Sequence, residues 1–351
     1  MPNGGSAGKG GRPGRRTALR HECSDERHEG ARTLTKIVFL DRDTVGPNVP
    51  LHRPSFDHEW VAHDATAPEQ VAERIADADM VITNKAPIRE AALERASRLK
   101  AISIAATGYD VIDTDACRER GIAVANVRGY AVNTVPEHTF ALILALRRSL
   151  IAYAAAVKAG RWQESGQFCF FDYPIRDLAG SYLAIMGEGS IGQSVADIAR
   201  AFGMKPHFVA HKGVDGLGPL YTPWDEALEK ADVVTLHAPL TAKTKNMLAM
   251  PEFRAMKRRP LIVNTARGGL VHEADLVRAL EEGLISGFGF DVLTSEPPKD
   301  DNPLLQVLDR PDVIVTPHVA WSSDEARAEV WRQTVEALEA FERGEELRRV
   351  V

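Results

Sequence analysis

Cysteine is scarce in this chain. Only Cys23, Cys117 and Cys169 occur, an odd number, far apart and without CxxC spacing. That excludes a disulfide scaffold and the common structural zinc patterns, and it fits a reducing, cytoplasmic setting. Long apolar runs are also missing: none reaches the ~18 residues that a membrane span requires, so no membrane partner is expected. A surplus of positive charge is absent. Lys and Arg number 43 against 49 Asp and Glu, a net charge of −6, which argues against nucleic acid as a partner. No internal repeat of fixed period is apparent. What is present is ordinary globular composition, 44% hydrophobic and 26% charged. A length of 351 residues suggests about two domains.

Residues 1–33 differ in kind. They are rich in Gly and Arg, with almost no apolar content and no periodicity. Seven basic residues (Lys9, Arg12, Arg15, Arg16, Arg20, Arg27, Arg32) face four acidic ones (Glu22, Asp25, Glu26, Glu29), so a +3 segment precedes a −9 body. Burial cannot offset the ordering entropy of such a segment, and it is expected to be a disordered tail. It lacks the apolar h-region of a secretory signal and the apolar helical face of a transit peptide. His21, Cys23 and His28 have no second cluster to complete a metal site, and no metal is expected.

From residue 35 the pattern becomes regular. Continuous apolar runs at 36–40, 80–83, 101–105 and 123–126 are followed by a second series at 182–186, 207–210, 233–236, 261–264, 288–291 and 313–316. Runs without alternation suit parallel strands buried on both faces. Helical patterns at 68–76, 88–96 and 273–282 separate some of them. The fold class is therefore α/β, with two doubly wound parallel-sheet domains. One long apolar helix divides the series. Thr134 is its expected N-cap, Glu137 completes a capping box, and Gly160 is its stop. The expected division is 34–130 for the first unit and 131–317 for the second. The last helix, about 322–343, returns to the first unit, which then comprises 34–130 and 318–345.

The run at 182–186 leads into Gly187-Glu188-Gly189-Ser190-Ile191-Gly192. A GxGxxG between strand and helix is suited to a dinucleotide. Gly187 permits the turn, Gly189 admits a pyrophosphate to the backbone, and Gly192 lets helix and strand pack. The helix N-terminus adds N–H donors and partial positive charge. The acid expected about 20 residues on, for the ribose 2′-OH, is missing. His211 holds that place, followed by Lys212, and Asp215 lies past the strand end. Without a carboxylate, and with Lys212 to attract a 2′-phosphate, NADP(H) is favoured over NAD(H).

Three polar residues stand at or just beyond strand ends: Arg267 in Asn264-Thr265-Ala266-Arg267, Glu296 after Asp291, and His318 after Thr316. Open α/β sheets bind ligands at that edge. A His can move a proton near neutral pH, a carboxylate can orient it, and an Arg can grip a substrate carboxylate in two places.

These motifs together resemble the D-isomer-specific 2-hydroxyacid dehydrogenases across nearly all of 34–345. The stretches 81–87, 105–108 and 126–130 make the chain more similar to the glycerate dehydrogenase/hydroxypyruvate reductase branch. The resemblance implies a Rossmann-type nucleotide domain and a flavodoxin-like substrate domain. It also implies a homodimer and hydride transfer between the nicotinamide cofactor and a small 2-oxo or 2-hydroxy acid, D-glycerate/hydroxypyruvate or glycolate/glyoxylate. By the same resemblance His318 is the acid/base, Glu296 its partner and Arg267 the substrate anchor. Lys85, Ala106, Thr107, Gly108 and Trp321 would line the substrate pocket. Thr134, Gly187, Gly189, Ser190, Ile191, Gly192, His211, Lys212, His237, Ala238, Pro239, Thr244, Thr265, Ala266, Arg267, Asp291 and His318 would line the cofactor. Structural alternatives stand beside these roles: Lys85 as a loop charge, Trp321 as packing at the domain seam, Asp291 as an orienter of backbone amides. A nucleotide-sensing, corepressor-like protein and a phosphite dehydrogenase are the alternative functions.

Overall fold

All ten apolar runs form strands, to within two residues at either end. The computed structural model describes residues 34–214 and 216–351, so the expectations for 1–33 and for Asp215 fall outside it. The first sheet contains β1 (Thr35–Phe39), β2 (His58–Ala62), β3 (Met80–Thr83), β4 (Ala101–Ile104) and β5 (Ala123–Asn126). Their order is β2-β1-β3-β4-β5, all parallel, the flavodoxin-like arrangement. The second sheet contains β6 (Tyr182–Met186), β7 (Lys205–Val209), β8 (Tyr221–Thr222), β9 (Val233–Leu236), β10 (Leu261–Asn264), β11 (Gly287–Phe290) and β12 (Val313–Val315). Its order is β12-β11-β10-β9-β6-β7-β8. Strand order reverses between β6 and β9, and the crevice at such a switch point is where doubly wound sheets take nucleotides.

Two strands escaped the apolar pattern. β2 is an edge strand whose residues are half-buried or exposed, and β8 has two residues. Neither carries a continuous apolar run, because neither is covered on both faces.

The helix Asp324–Glu342 packs on the first sheet, with Trp331 fully buried and stacked on Phe39 at 5.2 Å between ring centres. Ser323 caps it by accepting from the Ala326 N–H. Beyond it, Arg349 bridges Ala125 in antiparallel sense and covers the open edge of β5. Both ends of the described chain thus contribute to the first sheet and its cover.

The long central helix is not continuous. It runs Thr134–Arg147, breaks at Ser149, whose φ is +48°, and resumes as Leu150–Lys158 after a 58° bend. The Ser149 hydroxyl donates to the Pro174 carbonyl, and Arg147 Nη2 to that of Asp177, so a returning loop fixes the break. The expected Thr134 cap is also corrected. Asn133 precedes the helix without a side-chain cap, and the Thr134 hydroxyl instead meets Ser323 Oγ at 2.9 Å, where the last helix begins. Among the described residues no single helix is long and apolar enough to cross a membrane.

Candidate active site

The glycine loop has the shape its sequence implies. At Gly187, φ is +118°, and an added Cβ would fall 2.6 Å from the His237 carbonyl. At Gly192 it would fall 2.0 Å from the Gly187 oxygen. At Gly189 it would meet nothing within 4 Å. The two outer glycines thus serve packing of the protein on itself, and the middle one faces open space. That fits a pyrophosphate, with Ser190 and Ile191 opening the helix Ser190–Ala201 behind it. His237 stands at the end of β9 with Nε2 3.0 Å from Thr235 Oγ1, and desolvation lowers it to about 3, so it is neutral. Beyond Ala238, the Pro239 carbonyl accepts from Thr244 Oγ1 at 2.6 Å, which folds that wall into a tight turn.

Arg267 follows β10. Fully buried Asn264 pins its loop, accepting from the Ala266 N–H and donating to the Arg267 carbonyl. Thr265 is held against Thr139 of the central helix by a 2.9 Å hydroxyl contact. Across the cleft, the loop after β4 comes directly beside the guanidinium: a Cβ at Gly108 would lie 2.9 Å from Arg267 Nη2. Thr107 fixes this loop, its hydroxyl donating to the Val127 carbonyl and its own carbonyl accepting from Asn126 Nδ2. Ala106 accepts from the Val127 N–H.

His318 and Glu296 meet through Nδ1 and Oε2 at 2.6 Å. Glu296 Oε1 accepts from the Leu293 N–H. Burial alone would raise the Glu296 carboxyl. The hydrogen bonds from His318 and Leu293, with the charges of His318 and Lys85, outweigh burial and hold it below its ordinary value. His318 has φ +54°, a strained backbone for a non-glycine residue. Asp291 holds that strain in place. Its carboxylate accepts from the N–H groups of Val319 and Ala320 and from the Thr316 hydroxyl, and its carbonyl accepts from the His318 N–H. Asp291 is 1% exposed, so the backbone-orienting alternative describes its contacts.

Lys85 joins the same cleft. Burial lowers its pKa, Glu296 raises it and Arg267 lowers it again, so its ammonium feels the charges of both. The residue that presents it was missed in the sequence. Buried Asp41, just after β1, accepts from the N–H groups of Asn84, Lys85 and Ala86. Its signal was an acid at a strand end, in a run otherwise read as core. Trp321 packs edge-on against Tyr130 at 6.2 Å, within apolar clusters that include Ala105, Val135 and Ile191. Tyr130 and Trp321 therefore fill the seam between the two sheets' loops.

At the end of β7, Lys212 is not free. Its Nζ lies 2.6 Å from Oε1 of Glu252, whose side chain is 7% exposed. His211 Nε2 lies 3.9 Å from Glu188 Oε1. Among the described residues no group of His, Cys, Asp and Glu could hold a metal ion, and Cys117 and Cys169 are free thiols.

The chain is similar to known proteins along most of its length. Residues 140–320 match the model of the D-isomer specific 2-hydroxyacid dehydrogenase NAD binding domain. Glycerate dehydrogenase of Methylorubrum extorquens is 47% identical over 88% of this chain and 96% of its own length. Hydroxypyruvate reductase of Blautia hydrogenotrophica is 36% identical over 88% and 97%. The crystal structure of D-lactate dehydrogenase from Aquifex aeolicus, complexed with NAD and lactic acid, superposes with a TM-score of 0.74 at 28% identity, covering 88% of this chain and 96% of that one.

Proposed function

The chain belongs to the D-isomer specific 2-hydroxyacid dehydrogenase family, and on that premise we propose that it interconverts hydroxypyruvate and D-glycerate, with glyoxylate and glycolate as the smaller pair. The observation that carries the reading is that Arg267 lies beside the Gly108 loop, while the next residue, Gly268, packs on Leu293, whose N–H holds the Glu296 of the His318–Glu296 pair.

In the direction of reduction, Arg267 grips the substrate carboxylate together with the N–H groups of the loop from Ala106 to Gly108. His318 Nε2 delivers a proton to the carbonyl oxygen, while Glu296 holds Nδ1 and so fixes which nitrogen faces the substrate. Asp291 keeps His318 in its strained position, so little reorganisation remains at the moment of transfer. The loop Gly187–Gly192 would hold a nicotinamide cofactor, which when bound would supply the hydride for C2. Lys85 adds a second positive charge near Arg267 and draws in the anionic substrate. The first sheet with the last helix serves as the substrate domain, and the second sheet with the central helix as the nucleotide domain.

The NADP(H) preference expected from sequence rested on the missing strand-end carboxylate and on Lys212 being available to a 2′-phosphate. The Lys212 ion pair with Glu252 weakens the second ground. A homodimer is supported by exposed aromatic and aliphatic side chains on the resumed part of the central helix and in the segment after it. Ile151, Trp162, Phe168 and Phe171 are 56, 48, 88 and 84% exposed, the kind of apolar surface that a partner covers. Free thiols accord with a cytoplasmic setting.

The test is turnover of hydroxypyruvate, glyoxylate and pyruvate by the purified chain with each nicotinamide cofactor. Hydroxypyruvate is expected to give the highest kcat/KM. Cofactor binding without turnover of any 2-oxo acid would reject the enzyme reading.

A further inference from the structure

We propose that Glu188, inside the glycine loop, takes over the reading of the adenosine ribose from the missing strand-end acid and so selects NAD(H) against NADP(H). The proposal rests on the dinucleotide reading above and assigns its specificity to a residue outside the usual position.

The sheet register brings the two positions together. Ile185 of β6 pairs with Phe208 of β7. Three residues further along each chain stand Glu188 and His211. His211 occupies the place where a carboxylate ordinarily accepts from the ribose 2′-OH. The chain supplies a carboxylate to that same place from the neighbouring strand, with Glu188 Oε1 at 3.9 Å from His211 Nε2. Tyr221 closes the third side. It pairs with Phe208 from β8, and its ring lies 6.3 Å from that of His211. The Tyr221 phenol is held above its ordinary value, by desolvation first and by its contact with Glu188 second. The Glu188 side chain is 39% exposed, open enough to receive a ligand hydroxyl.

The surrounding charges favour a hydroxyl over a phosphate. A phosphate monoester carries about −1.5 to −2 charges near neutral pH and would face the Glu188 carboxylate. Lys212, the cation in reach of that end of β7, is paired with Glu252. Glu252 is in turn fixed by accepting from the Ala249 N–H at 3.0 Å. Lys212 is therefore engaged away from Glu188, while a ribose 2′-OH can donate to that carboxylate. Hydrogen bonds to a charged group are the stronger kind.

The experiment measures binding without turnover. Calorimetric titration of the full chain with ADP-ribose and with 2′-phospho-ADP-ribose is expected to show about tenfold or greater preference for the first. Glu188→Gln should reduce that ratio by about tenfold, weakening ADP-ribose and tolerating the 2′-phosphate. Adding His211→Asp to Glu188→Gln puts an acid back at the strand end and should restore the preference, which shows that the loop still folds. An unchanged ratio in Glu188→Gln, or a wild-type preference for the phosphorylated ligand, overturns the assignment while leaving the dinucleotide reading intact. Binding of neither ligand overturns that reading and the assignment with it.

Discussion

His318 Nδ1 and Glu296 Oε2 stand 2.6 Å apart, although 22 residues separate them in the chain. The contact spends one imidazole nitrogen on the protein, which in the proposed mechanism leaves the other for the substrate. His318→Gln keeps a similar size but cannot shuttle a proton. Its kcat for hydroxypyruvate should fall by about 10²–10⁴ while the dissociation constant for the cofactor stays the same. Stopped-flow reduction alongside equilibrium cofactor titration separates the two, and near-normal turnover would remove His318 from the proton-transfer step.

Lys85 predicts a pH dependence with a definite sign. Its folded-state pKa lies below the ordinary 10.5, so its charge is lost earlier on the alkaline side than that of a free lysine. If that charge attracts the substrate carboxylate, KM for hydroxypyruvate rises as pH climbs through the lowered value. Lys85→Arg stays charged and should flatten the rise. Lys85→Met should show a high KM at every pH. A wild-type KM that does not change with alkaline pH would return Lys85 to the role of a loop charge.

Gly108→Ala puts a methyl group 2.9 Å from Arg267 Nη2. The neighbour is the far end of a flexible side chain, so the fold can absorb the change and the guanidinium cannot keep its place. The expected result is a KM raised by about tenfold, the order of one displaced charge-assisted hydrogen bond, with Tm nearly unchanged. A Tm drop without a KM effect would contradict the placement of Arg267.

Gly192→Ala has the opposite profile. Its Cβ would fall 2.0 Å from the Gly187 backbone oxygen, and that neighbour is backbone, which cannot swing aside as a side chain can. Destabilisation of about 1–3 kcal/mol is expected from the overpacking, together with loss of dinucleotide affinity. Denaturant unfolding and calorimetry measure the two effects.

Phe171→Asp tests the exposed apolar segment. Phe171 is 84% exposed, so the change should cost the isolated fold little and should shift the assembly from dimer to monomer in analytical ultracentrifugation. A wild-type monomer at micromolar concentration would remove the partner assigned to that segment.

The parts legible in sequence are those whose causes are local. The run Tyr182–Met186 needs burial on both faces and has no polar residue to oppose it. The spacing of Gly187, Gly189 and Gly192 is imposed by a turn and a helix start within six residues. The candidates Arg267, Glu296 and His318 could be singled out because strand ends of a parallel sheet share one edge. Where the sequence misled, the missing information was distant. Nothing within 134–160 announces the break at Ser149, because its hydroxyl is satisfied by Pro174. Thr134 resembles a cap until Ser323 arrives beside it from 189 residues away.

The sequence by itself determined the α/β class, the nucleotide loop and the three polar candidates at the strand ends, because periodicity, glycine spacing and side-chain chemistry are properties of short stretches. Only the tertiary structure decided which charges are available. Lys212 reads as a free cation until Glu252 is seen 2.6 Å away, and only the fold sets the Glu188 carboxylate beside His211. Electrostatic roles depend on distance and burial, and both are fixed by packing between segments that the chain order keeps far apart.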